Sequence, residues 1–290
     1  MIDLSITIVN YNTKDLLSQC IKSIYHNTKE ISYEIIVVDN ASSDGSVEML
    51  KKEFPEVIVI ANNKNLFFTR AHNQALRIAN GRYLMILNSD TVILERAFDK
   101  MIKFMDEHPE CGACVPKLLN PDMTLQRSSD RLPTFTYGLF EVLLLNTLFP
   151  NNSVKRYRIY SEWDRNSTMA VDSVGGSCMM VRREVIEKIG LLDENFLAYW
   201  EEIDWCKRIL EAGYKIYYLH TAQIIHCWQV SMNKLGKEKK EKIFYNSMLY
   251  YYKKHFGMLT YWIFRSILVF SMFFLYIFRK IKMLIFTQSK

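Results

Sequence analysis

The sequence predicts an α/β protein: a mostly parallel sheet flanked by helices, with a hydrophobic helix at the C-terminus. Three observations predict it. Apolar runs of five or six residues, rich in Ile and Val, alternate four times with segments of helical periodicity; three of those runs end in clusters of Asn, Asp and Ser; and one stretch of twenty residues late in the chain carries a single charge. Regular alternation of strand and helix winds a Rossmann-like sheet with helices on both faces.

The runs are LSITIV (residues 4–9), EIIVV (34–38), VIVIA (57–61) and YLMIL (83–87). Each is nearly continuous in apolar residues, as a strand buried on both faces must be. Residues 14–25, 46–54 and 69–79 read as the intervening helices, with Leu16, Leu17, Cys20, Ile21 and Ile24 marking one face of the first. A helix over 94–107 follows, then a looser region from 111 to about 167 punctuated by Pro116, Pro121, Pro133 and Pro150. Inside that region, TFTYGLFEVLLLNTLF (134–149) reads as an apolar helix with one charge, Glu141. It belongs either to a core or against lipid or a lipid-borne substrate. A second block comprises a strand over 171–181, helices near 183–189 and over 201–212 closed by Gly213, and strands at 215–219 and 223–226. The last stretch, LTYWIFRSILVFSMFFLYIF (259–278), is just long enough to span a hydrocarbon core. Arg265 stands near its start, and Arg279, Lys280 and Lys282 stand at its far end. Lying in the membrane interface, or packing as a buried helix, are the alternatives.

A chain of 290 residues with 49% hydrophobic content fills a sizeable core, which excludes a disordered protein. The net charge of +6 is concentrated late, in KLGKEKKEK (234–242), Lys253 and Lys254, beside apolar sequence. That pattern points to an anionic membrane surface and away from nucleic acid, although a helix of mixed Lys and Glu is also simply a solvated face. Six scattered cysteines sit mostly in apolar runs, as small hydrophobes in a reducing compartment; CGAC (111–114) has redox spacing but no second pair. Met1 and Ile2 lead directly into a strand with no signal peptide, an expectation that leaves the N-terminal bulk in the cytoplasm.

In a sheet of this kind ligands bind beyond the carboxyl ends of the strands. There the sequence places Asn10, Tyr11 and Asn12; Asp39, Asn40, Ala41 and Ser42; and Asn88, Ser89 and Asp90. Singly, each cluster is a turn or a helix cap. Together they supply oxygen ligands for a divalent cation, Mg or Mn, shared with substrate phosphates, and a carboxylate, Asp39, suited to the imide N–H of a pyrimidine. A second site lies in FLAYWEEIDWCKR (196–208). Glu201, Glu202 and Asp204 crowd a helix start, where they either cap the dipole or, beside Tyr199, Trp200 and Trp205, form a base in a sugar-stacking pocket.

These residues resemble the inverting family-2 glycosyltransferases of the GT-A fold, in particular the rhamnosyltransferase-like branch. IVNYN (8–12) and VVDNASSDGS (37–46) are similar to the nucleotide-binding strand ends. The resemblance implies donor contacts for Asn10, Asn12, Asp39 and Ser42, with Arg70 and Asn73 of NLFFTRAHN (65–73) beside them. LNSDT (87–91) falls at the D-x-D-like metal motif, implying Asp90 as metal ligand and Asn88 as a weaker neighbour. QRSSDRLPT (126–134) implies Arg131 near the diphosphate, and VDSVGGSCMMVRRE (171–184) implies close backbone approach at Gly176. YWEEIDWCKR (199–208) places Glu202 where the family has its Asp base, with Glu201 and Asp204 as neighbours, and His226 matches the histidine metal ligand. Three departures stand out: Phe67 where the family prefers Gly, Glu202 for Asp, and Gln229 for the glycine after the histidine.

The implied organisation is a GT-A catalytic domain over 1–232, with a nucleotide-binding half to about 110 and a donor-sugar and acceptor half beyond. A basic amphipathic helical linker (233–258) and a membrane-associated or transmembrane helix with a basic tail (259–290) follow. The implied partners are a nucleotide-sugar donor, which the branch resemblance implies is dTDP-rhamnose or another pyrimidine donor, a saccharide or lipid-linked saccharide acceptor, and the cytoplasmic face of the cell membrane. Two other classes fit less of the pattern. A glycan-binding scaffold has no use for metal ligand, base and histidine together, and a nucleotidyltransferase lacks its glycine-rich basic loop where NYNTKD (10–15) stands.

Overall fold

Strand β1 (Leu4–Asn10) lies between β2 (Tyr33–Asp39) and β4 (Tyr83–Asn88), parallel to both, and β3 (Ile58–Ala61) extends the parallel set beyond β2. The structure, a computed structural model, describes residues 2–227 and 236–287. Gln229 and Lys234 lie outside it, as do the side chains of Arg279, Lys280 and Lys282. Helices α1 (Lys14–Asn27), α2 (Ser46–Glu53) and α3 (Phe67–Ile78) make the crossovers, so the N-terminal part of the chain has the doubly wound form expected.

Beyond β4 the sheet becomes mixed: after β3-β2-β1-β4 come β11 (Cys178–Arg182), β6 (Cys111–Leu119), β12 (Lys215–His226) and β5 (Thr91–Ile93), with two short strands pairing off this path. Strand β5 (Thr91–Ile93) leaves β4 almost at once, and α4 (Ala97–Glu107) leads into β6 (Cys111–Leu119), a nine-residue strand buried in the sheet. Sequence pattern assigned residues 111–119 to a loose region, and this is corrected. Gly112 and Pro116 hide the strand signal, but a Cβ at Gly112 would lie 2.6 Å from Tyr214 Cβ, so glycine there permits close packing. Short β7 (Leu125–Gln126) pairs with β6, and β8 (Ser129–Asp130) pairs outside the main sheet with β10 (Ser173–Val174). The single strand expected over 171–181 is three: β9 (Met169–Val171), β10 and β11 (Cys178–Arg182), interrupted by Asp172 and by Gly175–Gly176. After α8 (Arg183–Ile189) and α9 (Glu201–Glu211), one bulged strand, β12 (Lys215–His226), replaces the two expected.

Period-two alternation divides the core between the two faces of the sheet. Ile6, Ile8 and Met85 meet Leu17 and Ile21 of α1 and Phe98 of α4 on one side; Ile36, Val38 and Ile86 meet Ala71 and Ala75 of α3 and Trp205 of α9 on the other. The cysteines are free, and all but Cys227 are buried.

The apolar segment 134–149 divides at Leu144, whose φ is 60°, into α5 (Phe135–Val142) and α6 (Leu145–Leu148); α7 (Ser153–Arg158) follows. The segment expected as a linker is a packed helix, Lys237–Phe256, continued by a tail helix, Met258–Thr287. Met248, Tyr251 and Tyr252 of the first and Phe264 of the second join Val142 and Trp200 in a third core. Over Met258–Leu275 the tail helix is otherwise largely exposed and apolar enough to cross a bilayer.

Gly138 is where α5 touches both C-terminal helices: a Cβ there would lie 2.4 Å from Tyr252 Cζ and 2.5 Å from Phe264 Cε2. Gly138→Val is therefore expected to destabilise the full chain by about 1–3 kcal/mol through overpacking. A denaturant midpoint equal to wild type in detergent would show that these helices do not dock on α5.

Candidate active site

The register of the central strands builds the first half of the site. Asn10 pairs with Asp39 and Val9 with Asn88, so three strand ends finish on one edge. Asn10 Nδ2 donates to Asp39 Oδ1 at 2.8 Å and to Ser42 Oγ at 3.1 Å, and Ser42 N–H donates to Asp39 Oδ2 at 2.8 Å. Ser42 Oγ also accepts from the Asn12 amide, and Asn12 Oδ1 accepts from the Ser43 amide. Asn12 and Ala41 hold left-handed φ of 54° and 63° to make these bonds. Asn10, Asn12, Asp39 and Ser42 thus form one hydrogen-bonded network, with Asn10 and Asp39 buried and Asn12 and Ser42 half-buried above them. Each Asp39 oxygen has one hydrogen bond and keeps a lone pair.

A left-handed turn also explains Phe67. Its φ is 61°, a conformation that glycine adopts freely and Phe adopts at a cost of order 1 kcal/mol. Asn40 Nδ2 to the Phe67 carbonyl (3.1 Å) and the Phe67 amide to Asn65 Oδ1 (2.8 Å) hold it there.

The metal-motif residues meet His226 through β12. Pairing of His226 with Thr91 sets the imidazole beside Asp90, Nε2 lying 3.3 Å from Asp90 Oδ1 and 3.2 Å from Asn88 Nδ2. Gln126 on β7 fixes the ring: its Oε1, which only accepts, is 2.6 Å from Nδ1, while its Nε2 donates to the His226 carbonyl at 3.1 Å. In the neutral imidazole the proton then sits on Nδ1 and Nε2 presents a lone pair towards Asp90. Gln126 was not singled out as a functional residue, because its role depends on a pairing 100 residues away.

The second half of the site is α9. Tyr199 and Trp200, at φ 63° and 70°, deliver the chain into it, and burial of Trp200 against Phe244, Tyr251 and Tyr252 holds this strained pair. Glu201 is buried and Glu202 partly open, and Oε2 of each lacks a hydrogen-bond partner among the described residues. Burial, then the charge of Glu202, pushes Glu201 well above the usual carboxylate range. Burial also raises Glu202, partly offset by backbone amides, that of Gly176 among them, and by the Arg158 guanidinium. Gly176 itself packs under Phe68, with space for a Cβ only 3.3 Å from Phe68 Cζ.

Four expected site residues are placed elsewhere. Asp204 accepts from Arg208 Nε at 2.9 Å and lies 2.8 Å from His255 Nε2 and 2.7 Å from Lys254 Nζ. Burial works against its charge, but these partners prevail and hold it at about 2, too acidic for a base. Arg70 and Asn73 face the loop before α9, Arg70 Nε standing 3.9 Å from Glu194 and Asn73 Nδ2 donating to the Leu192 carbonyl and to Glu194. Arg131 lies against the rings of Tyr157 and Tyr160 and donates to the Tyr157 carbonyl.

Among the described residues no three His, Cys, Asp or Glu side chains converge as a metal site. Asp90 and His226 suit instead a hard cation that takes its other ligands from phosphate and water.

The fold and this strand-end edge have the form of a GT-A glycosyltransferase. The chain belongs to glycosyl transferase family 2, whose model matches residues 5–190. It is 24% identical over 235 residues to the N-acetylglucosaminyl-diphospho-decaprenol L-rhamnosyltransferase of Mycobacterium tuberculosis, covering 77% of this chain and 75% of that one. It is 26% identical over 228 residues to the low-salt glycan biosynthesis hexosyltransferase Agl10 of Haloferax volcanii, covering 77% and 67%. In fold it resembles GalNAc-T7, solved with UDP, GalNAc and Mn2+ (TM-score 0.59, 14% identity), and S. aureus TarS (0.52, 16%). It covers 80% and 77% of its own length in these matches, against 45% and 60% of those chains.

Because Asp204 gains its partners on folding, its pKa is depressed in the native state. The stability it contributes is present above the unfolded carboxylate pKa and is lost as pH falls through about 2. Asp204→Asn is expected to lower stability at neutral pH by about 2–4 kcal/mol and to flatten the acid limb of a stability-against-pH curve. An unchanged limb would remove Asp204 from this role.

Proposed function

We propose that the protein is an inverting glycosyltransferase that moves a sugar from a pyrimidine nucleotide diphosphate, dTDP-rhamnose being the donor to test first, to a lipid-linked glycan acceptor at the cytoplasmic face of the membrane. The observation that supports it most is the carboxyl pair heading α9. Two acids in one desolvated place do not both ionise. Glu202, partly open and offset by Arg158 and Gly176, carries the charge; Glu201, enclosed, keeps its proton. Glu202 then takes the proton of an acceptor hydroxyl as its oxygen bonds to the anomeric carbon and the bond from that carbon to the diphosphate breaks. Asp39, Asn10 and the Ser42 turn bind the base and ribose.

Asp90 and His226, with Asn88 beside them, would hold the divalent cation, which when bound neutralises the departing diphosphate. Gln126 keeps Nε2 of His226 available. The apolar tail helix and the exposed Leu148 and Phe149 of the α6 hairpin support membrane association, and the M. tuberculosis relative, named for a diphospho-decaprenol acceptor, supports a lipid-linked one.

Glu202→Gln is expected to reduce kcat by 10²–10⁴-fold while leaving nucleotide affinity within about twofold. Glu201→Gln, an imitation of a protonated carboxyl, should keep activity within about tenfold. Reversal of this order in a nucleoside-diphosphate release assay would hand the base role to Glu201. The base must be ionised and its pKa is raised, so kcat/KM should climb with pH through a value above the usual carboxylate range, and Glu202→Gln should abolish that limb. Gln126→Leu should weaken Mn2+ affinity about 10–100-fold; undiminished affinity in a direct metal titration would sink the assignment of His226.

A further inference from the structure

Among the described residues nothing covers the outer face of the tail helix, and the packing of its inner face restricts how the outer one can meet lipid. Building on the membrane association inferred above, and independently of donor and reaction, we propose that this helix does not cross the bilayer: it lies in the plane of an anionic lipid surface, outer face among the acyl chains and inner face on the rest of the protein.

At about 100° per residue the helix sorts into two faces. Tyr261, Phe264, Ile267, Leu268 and Met272, spaced three and four apart, join the third core with Val142, Trp200 and Tyr252. Phe264 is fully buried, its ring centroid 5.0 Å from that of Phe135 on α5 and 4.9 Å from that of Tyr252. This stripe covers three turns, so about 16 Å of helix lies along the protein. On the opposite face Leu259, Trp262, Ile263, Phe270, Phe273 and Phe274 are all exposed.

The apolar stretch Met258–Leu275 has 18 residues, about 27 Å of helix against a hydrocarbon thickness of about 30 Å. A crossing would need all of it. In the sequence Arg279, Lys280 and Lys282 close the apolar run soon after, so a span cannot shift outward past the packed turns. Mid-bilayer would then fall around Phe264 and Leu268, immersing the core that also seats Trp200 beside the carboxyl pair. An in-plane helix leaves that core on the water side.

The edge of the outer face suits a headgroup layer. Arg265 Nη1 donates to Tyr261 Oη at 2.6 Å, its guanidinium carbon lies 5.6 Å from the Trp262 ring centroid, and Lys253 Nζ stands 5.9 Å from that of Tyr261. Rings at headgroup level and cations reaching lipid phosphates are how an interfacial helix is held. After Glu241 the sequence has no Asp or Glu, while Lys253, Lys254, Arg265, Arg279, Lys280 and Lys282 follow, which favours an anionic leaflet. The same charge disfavours a second copy of the chain on this face, because basic residues would meet basic residues with no acid to answer them.

Leu259, Ser266 and Phe273 are exposed and seven residues apart on the outer face. Leu259→Cys, Ser266→Cys and Phe273→Cys, made singly in the full chain and labelled with an environment-sensitive fluorophore, report depth in phosphatidylcholine–phosphatidylglycerol vesicles through quenching by lipids spin-labelled along the acyl chain. Labelled wild type, in which Cys227 alone among the cysteines is not buried, is the blank. The three labels should lie within about 5 Å of one depth. A crossing helix separates the deepest from the shallowest by about 10 Å or more, which overturns the proposal and leaves membrane association standing. Labels quenched by none of these lipids would overturn both. Lys253→Gln combined with Arg265→Gln should weaken binding to these vesicles about tenfold or more and change binding to pure phosphatidylcholine vesicles less than about twofold; undiminished binding to the anionic vesicles overturns the choice of an anionic surface.

Discussion

The whole strand-end half of the site depends on β1 being held in parallel register between β2 and β4. A slip of one residue would turn Ile6 and Ile8 off one apolar face and carry Asn10 away from Asp39. Because both faces are buried, the core itself prevents that slip, and the polar strand ends inherit positions set by packing. The same logic extends across the sheet. β6 pairs with β7 and β12, and β12 with β5, so Gln126, His226 and Asp90 arrive together from distant parts of the chain as consequences of three strand pairings.

The other half of the site is controlled from outside the sheet. The first turn of α9 carries both the carboxyl pair and Asp204, which the helix Lys237–Phe256 grips through Lys254 and His255. The third core does the same for Trp200, whose strained backbone opens α9. The group proposed as base is thus positioned by residues that belong to the C-terminal helices.

The four parallel strands and their helices were legible in the sequence because runs such as EIIVV are continuously apolar, and β1, β2 and β4 are buried as that pattern implies; β3 is the exception, an edge strand whose Ile58 is exposed because no further strand covers it. Strand β6 was not, since Gly112 and Pro116 look like breakers until Tyr214 is seen to require the missing side chain. The strand-end residues and His226 could be picked out by type and position. For Arg70 and Asn73 the sequence showed neither the contact with Glu194 nor that with the Leu192 carbonyl, because spacing along a helix does not say which residues of a loop more than 100 positions away it will face. Asp204 misled for a related reason: three acids in four residues of a helix point in different directions, and one of them met a cationic helix about 50 residues further on. Phe67 is the reverse case, an apparent departure that the backbone resolves, since the residue keeps the left-handed turn a glycine would make.

The grip of the penultimate helix on Asp204 has a practical consequence for anyone wishing to remove the apolar end of this protein to obtain a water-soluble enzyme. Cutting ahead of residue 237 would take away Lys254 and His255, leaving Asp204 with Arg208 alone, and would strip Tyr251 and Tyr252 from the indole of Trp200. The boundary that respects the packing lies after Phe264 and Leu268, whose side chains close the third core, with the more exposed turns beyond them the ones to trim.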